Sequence, residues 1–175
     1  KAEMLTIPDK IERALEMKEE LQKYADKHYN HRDIYFLGRG LDYAVAMEGS
    51  LKLKEISYIH CDAYAGGELK HGPIALIDKG TAVITLLTQE ALKDKMISNV
   101  REVSTRGGNI FAVVNEGDET SKEVVDSLVY IPKTIDLLTP MISVVPLQLI
   151  SYYVAKQKGC DVDKPRNLAK SVTVE

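Results

Sequence analysis

A carboxylate, an ammonium and a second carboxylate recur at helical spacing in Glu48-Gly-Ser-Leu-Lys52-Leu-Lys54-Glu55. Steps of four and then three residues set Glu48, Lys52 and Glu55 along one face of a helix. Such a row suits proton transfer beside a carbonyl: the lysine neutralises a developing oxyanion while a neighbouring carboxylate moves the proton. The same spacing also describes an ordinary solvated face, whose ion pairs contribute about 0.2–0.5 kcal/mol each. Spacing alone does not separate the two. On either reading, the stripe Ala44, Met47 and Leu51 is expected to pack on a sheet.

A second cluster is Gly66-Gly-Glu68-Leu-Lys-His71-Gly-Pro73. A histidine between glycine and proline on a polar loop is poorly placed for a core, and its ordinary pKa near 6.5 suits acid/base work at neutral pH. An exposed histidine without a role is the competing reading. His60, Glu68 and His71 match no common metal-ligand spacing. Near the end, Arg166-Asn-Leu-Ala-Lys170-Ser offers an amine that can form a Schiff base with an open-chain ketose, provided its surroundings lower its pKa. Taken alone, it is an ordinary tail lysine. Gly38-Arg39-Gly40 lacks the serines and threonines of a phosphate cradle and does not match GxGxxG, so no dinucleotide site is expected.

These groups must be held by elements, and the chain supplies them in alternation. Helical spacing of Ile11, Leu15, Leu21, Tyr24, Ala25 and His28 predicts an amphipathic helix from Asp9 to about Tyr29. Short apolar runs at Asp33–Leu37, Ala82–Leu87, Ile110–Val114 and Leu128–Ile131 read as strands. Between them, helices are expected over Asp42–Ser57, Glu90–Thr105 and, briefly, Glu119–Asp126. Tyr58–Tyr64 is ambiguous, and Ala65–Pro73 reads as a loop. A long apolar helix, Leu138–Lys158, tolerates Pro140 in its first turn and should bend at Pro146. Alternating strands and helices, with unbroken apolar strands, indicate an α/β fold with a mostly parallel sheet covered on both faces. In such folds ligands sit beyond the carboxyl ends of the strands. The tail from Asp161 is expected to be an ordered extension over a site or partner.

The 175 residues suit one α/β domain. A net charge of −3 with both signs interspersed argues against nucleic-acid or membrane-surface binding. No apolar run approaches the roughly 20 residues of a membrane span, and no signal peptide is evident. Cys61 and Cys160 lack CxxC spacing and read as free thiols of a reducing, cytoplasmic setting. A chain starting at Lys1 reads as part of a longer polypeptide.

Three stretches carry a resemblance. Glu48–Ser57, Gly67-Glu-Leu-Lys-His-Gly-Pro73 and Asp163–Glu175 closely resemble the glutamine–fructose-6-phosphate aminotransferase (isomerising glucosamine-6-phosphate synthase) family, in the right order and from Asp33 to the last residue. The resemblance implies a three-layer α/β/α sandwich of the sugar-isomerase (SIS), flavodoxin-like type. Residues 1–160 then form the second SIS subdomain and 161–175 a C-terminal active-site tail. It implies that Glu55 moves a proton between C1 and C2 of the sugar, that His71 opens the ring and reaches the site of a neighbouring subunit, and that Lys170 forms the Schiff base with fructose 6-phosphate. Glu48, Lys52 and Ala169 are the supporting positions. It further implies a homodimer acting on fructose 6-phosphate to give glucosamine 6-phosphate, with no metal or organic cofactor. The family's glutaminase domain and its serine/threonine-rich first SIS subdomain have no counterpart in these residues. A non-catalytic sugar-phosphate-sensing SIS module, and an isomerase or deglycase for another phosphosugar, are the alternatives.

Overall fold

A computed structural model of the chain describes residues 1–168. Five parallel strands form one sheet: β1 (Asp33–Gly38), β2 (His60–Ala65), β3 (Ala82–Leu87), β4 (Asn109–Asn115) and β5 (Ser127–Ile131), in the order β2-β1-β3-β4-β5. The helices are α1 (Ala2–Leu5), α2 (Ile7–Leu15), α3 (Lys18–His28), α4 (Leu41–Ser57), α5 (Lys93–Ser104) and α6 (Thr139–Gln157). Strand pleating sends alternate residues to opposite faces. Ile34, Phe36, Ile84, Phe111 and Val113 enter one core with residues of α2, α3, α4 and α6. Tyr35, Leu37, Val83, Ile110 and Ala112 enter the other, with Met96, Val100 and Val103 of α5. Burial on both faces is why the central strands carry no polar alternation. The result is a three-layer α/β/α sandwich.

Parallel pairing fixes the ends of the connections. Asp33 lies opposite His60, and Gly38 opposite Ala65. Helix α4 therefore begins beyond the carboxyl end of β1 and brings its last turn back to the amino end of β2. The return from β2 to β3 runs over the other face. Two 3₁₀ turns, Gly66–His71 and Pro73–Leu76, occupy it, and Leu69 and Ile77 seal the second core.

Several sequence expectations require correction. The helix expected over Asp9–Tyr29 is broken at Glu16-Met17 into α2 and α3. The break lets both halves pack on α6, burying Ala14 from one and Leu21, Tyr24 and Ala25 from the other, while Leu15 stays exposed. The short helix expected over Glu119–Asp126 is only a 3₁₀ turn at Ser121–Glu123. There the Asp118 carboxylate accepts hydrogen bonds from Ser121 N, Ser121 Oγ and Thr120 Oγ1, a local bonding pattern that competes with helix formation. The loop over Ala65–Pro73 takes 3₁₀ form. Helix α6 starts with proline in its first turn as expected and runs unbroken through Pro146.

Candidate functional site

Helix α4 is held tightly on its buried side. A Cβ on Gly49 would stand 2.5 Å from Leu147 Cδ1 and 3.1 Å from Phe36 Cε1, so only glycine admits α6 this close. Val45, Ala46, Gly49 and Leu53 accordingly face inward, whereas Met47 and Leu51 are exposed. The stripe expected to pack on the sheet, Ala44-Met47-Leu51, thus lies outside instead. Close approach to α6 selects small residues for the buried face, which an apolarity count does not reveal.

Glu48, Lys52 and Glu55 occupy the flank between these stripes. Lys52 Nζ donates to Glu55 Oε2 at 2.7 Å and stands 3.8 Å from Glu48 Oε1. The hydrogen bond to Glu55 is the main cause of an upward shift of the Lys52 pKa, with the Glu55 and Glu48 charges adding to it against partial desolvation. Lys52 is therefore a fixed cation at neutral pH. The Glu55 side chain is 28% exposed and has this lysine as its hydrogen-bond partner. Among the described residues no second partner occupies its oxygens, which leaves lone pairs for a proton.

Glu55 opens into a cleft of about 580 Å³. One wall is the end of α4 with Leu51, Tyr58 and His60; the other is the returning chain end, Arg166, Asn167 and Leu168. Gly159, at φ 69°, stops α6, and Asp161 Oδ1 then gathers the amides of Asp163 and Lys164 into a turn. The described part of the tail runs along this wall as far as Leu168. Ala169 and Lys170 lie outside the described residues, Lys170 two positions beyond the end of that wall.

His71 is elsewhere. Its side chain is 72% exposed and its Nδ1 lies 2.7 Å from Glu68 Oε2, an equally open carboxylate. It stands on the face of the sheet opposite α4, so the fold does not bring it to Glu55 of the same chain. His60 is the imidazole that lines the Glu55 cleft, with Nδ1 2.9 Å from Asp33 Oδ1. Spacing gave no sign of it, because Asp33 and His60 meet only through strand pairing. Glu68 is not its hydrogen-bond partner: His60 pairs with Asp33, and Glu68 with His71.

Beyond the carboxyl ends of β3 and β4 lies a small cavity of about 100 Å³, lined by Leu87, Lys93, Asn115 and Asp118 among others, whereas the crevice between β1 and β3 is filled. Beyond β1 and β3, a Cβ on Gly40 would meet Leu92 Cδ1 at 2.8 Å. Asp42, 3% exposed, bridges to the end of β3 by accepting from Thr88 N at 2.8 Å, from Gln89 N at 3.3 Å and from Thr88 Oγ1. The larger, open cleft beside Glu55 lies instead at the far end of α4.

Residues 27–156 match the family model described as SIS domain. Over the whole of this chain, glutamine–fructose-6-phosphate aminotransferases of Clostridium tetani and Clostridium acetobutylicum are 63% and 61% identical, and the chain spans 29% of their length. Among solved structures, the C-terminal domain of glucosamine-fructose-6-phosphate aminotransferase from Francisella tularensis superposes with a TM-score of 0.86 at 40% identity, over 93% of this chain and 46% of that one. Glucosamine-6-phosphate deaminase from Thermotoga maritima gives 0.67 at 26% identity, over 93% and 49%. In family model, sequence relatives and layered architecture alike, the chain belongs to the SIS domain family.

Proposed function

We propose that this chain is the acid/base half of the isomerase in a glutamine–fructose-6-phosphate aminotransferase. The observation that supports the reading most is the Glu55 cleft. A half-buried carboxylate with a lysine at 2.7 Å faces a wall formed by the chain end, two residues before Lys170. Open-chain fructose 6-phosphate lying in this cleft would present its C2 carbonyl to the Lys170 amine, which condenses with it and releases water. Ammonia then adds to that imine and expels the Lys170 amine, leaving the ammonia nitrogen at C2; Glu55 takes a proton from C1 and returns it to C2, turning the ketose imine into an amino aldose. Lys52, a fixed cation, offsets charge that develops on the adjoining oxygen. Glu48 holds Lys52 from its other side.

His71 fits a different copy of the chain. Its exposure and its place across the sheet from Glu55 support ring opening in the cleft of a neighbouring subunit, and hence a homodimer. Mixing Glu55→Gln and His71→Ala subunits of the full enzyme then restores activity that neither has alone, because one of the two sites in a mixed dimer is intact. Failure to restore it would remove the shared-site reading.

The decisive experiment replaces Glu55 by Gln in the full aminotransferase. Isomerisation is expected to fall by about 10²–10⁴-fold while fructose 6-phosphate still binds. Unchanged turnover would favour a sugar-phosphate-sensing module. The 175-residue chain by itself is expected to turn over little substrate, since its residues supply no serine/threonine-rich phosphate anchor to position the sugar.

A further inference from the structure

We propose that Tyr58 and Arg166 are positioning residues, a clasp that pins the returning chain end against the cleft and sets the approach of Lys170 to Glu55. The inference rests on the roles given above to those two groups. Its starting point is backbone conformation. Among the described residues, Tyr58 (φ 62°) and Asn167 (φ 61°) are the two non-glycine residues with positive φ. Both line the Glu55 cleft. Left-handed backbone is unfavourable for a bulky side chain, and it persists where the surroundings over-determine it, commonly at functional sites.

Tyr58 caps α4 in this conformation, its N–H returning to Lys54 O at 3.2 Å. Glycine is the usual residue for such a cap. Glycine would serve the helix better, but it has no ring to offer. The Tyr58 ring carries the Arg166 guanidinium, whose Cζ lies 4.1 Å from the ring centroid. The phenolic oxygen accepts the Arg166 backbone N–H at 2.9 Å. A stack and a hydrogen bond together fix both the position and the direction of the chain at Arg166.

Lys170 is four residues beyond that point, so its backbone can range at most about 14 Å from the clasp. Without the clasp, the last rigid element is the end of α6 at Gln157, and an extended chain from there reaches about 45 Å. Tyr58 and Arg166 thus confine the amine to the neighbourhood of the cleft.

The test uses Tyr58→Gly, which suits the left-handed cap but removes the ring. In the full aminotransferase it should leave the melting temperature unchanged or raised, lower kcat by about 10–100-fold, and change KM by less than about threefold. Tyr58→Phe keeps the stack and should recover most of the rate. In the 175-residue chain, trypsin should cut after Arg166 faster in Tyr58→Gly than in the parent. Borohydride trapping with fructose 6-phosphate separates the two layers of the argument. A parent enzyme that is not trapped at Lys170 overturns the Schiff-base assignment. A parent that is trapped, with Tyr58→Gly trapped and turned over equally well, overturns the clasp.

Discussion

The two ends of α4 use carboxylates in opposite ways. At its start, Asp42 is buried and accepts from two backbone amides and a hydroxyl of the Thr88–Gln89 segment. Burial pushes its carboxyl above the ordinary range, and those hydrogen bonds oppose the shift. Three accepted hydrogen bonds tie β3 to the helix. Near the other end, Glu55 keeps partial exposure and leans on one lysine. A buried carboxylate with several protein donors holds structure. A carboxylate with spare lone pairs and a fixed cation beside it can exchange a proton.

This contrast can be broken from either side. If Glu55 is the working group, Glu55→Gln lowers turnover by about 10²–10⁴-fold, yet denaturant unfolding of the chain shifts by less than about 0.5 kcal/mol, as at other open sites. Loss of stability beyond that would make Glu55 a second Asp42. Conversely, Asp42→Ala leaves the Thr88 and Gln89 amides buried without partners and should cost about 2–3 kcal/mol, read as a lower denaturant midpoint. A change within error would contradict the structural role assigned to it.

A third titratable group sharpens the rule. His28 is buried, stacked on Tyr24 at 4.3 Å, with its Nδ1 3.2 Å from His31 Nε2. Desolvation first, then the charges of His31 and Lys27, lower its pKa to about 4. The folded state therefore favours the neutral ring. Its contribution is complete above the unfolded pKa near 6.5 and is lost as pH falls from there towards 4. A pH series of unfolding midpoints should show this acid limb, and His28→Gln should flatten it. An unchanged limb would assign it to other groups. The smallest effect is expected at Lys52: Lys52→Met should alter stability by no more than about 0.5 kcal/mol, because its ion pairs are solvated, while still lowering turnover. A large stability loss would turn the row into scaffolding.

Much of this was legible in the chain itself, for physical reasons. Ala82–Leu87 and Ile110–Val114 read as buried parallel strands because both faces are covered, and the structure extends the second only to Asn109–Asn115. The i, i+4, i+7 geometry of Glu48, Lys52 and Glu55 follows from helix pitch alone. Which side of α4 is buried was not legible, since Gly49 and Ala46 are selected by the nearness of α6 rather than by apolarity. The cap at Tyr58 was hidden because tyrosine gives no sign of a left-handed residue, unlike glycine or asparagine. The filling of the crevice by Leu92 was hidden too: nothing in a leucine after a polar turn says that it will reach across to Gly40.

The wall of the cleft contributed by Arg166 reaches Tyr58 across 108 positions of sequence, yet only a short tether joins it to α6. Its docking is thus an intramolecular equilibrium, insensitive to protein concentration and nearly independent of the global unfolding of the sheet. Amide exchange near Arg166 should accordingly be governed by local release, far faster than in β3 and β4. The wall of the cleft can then loosen and re-form while the core beneath it stays closed.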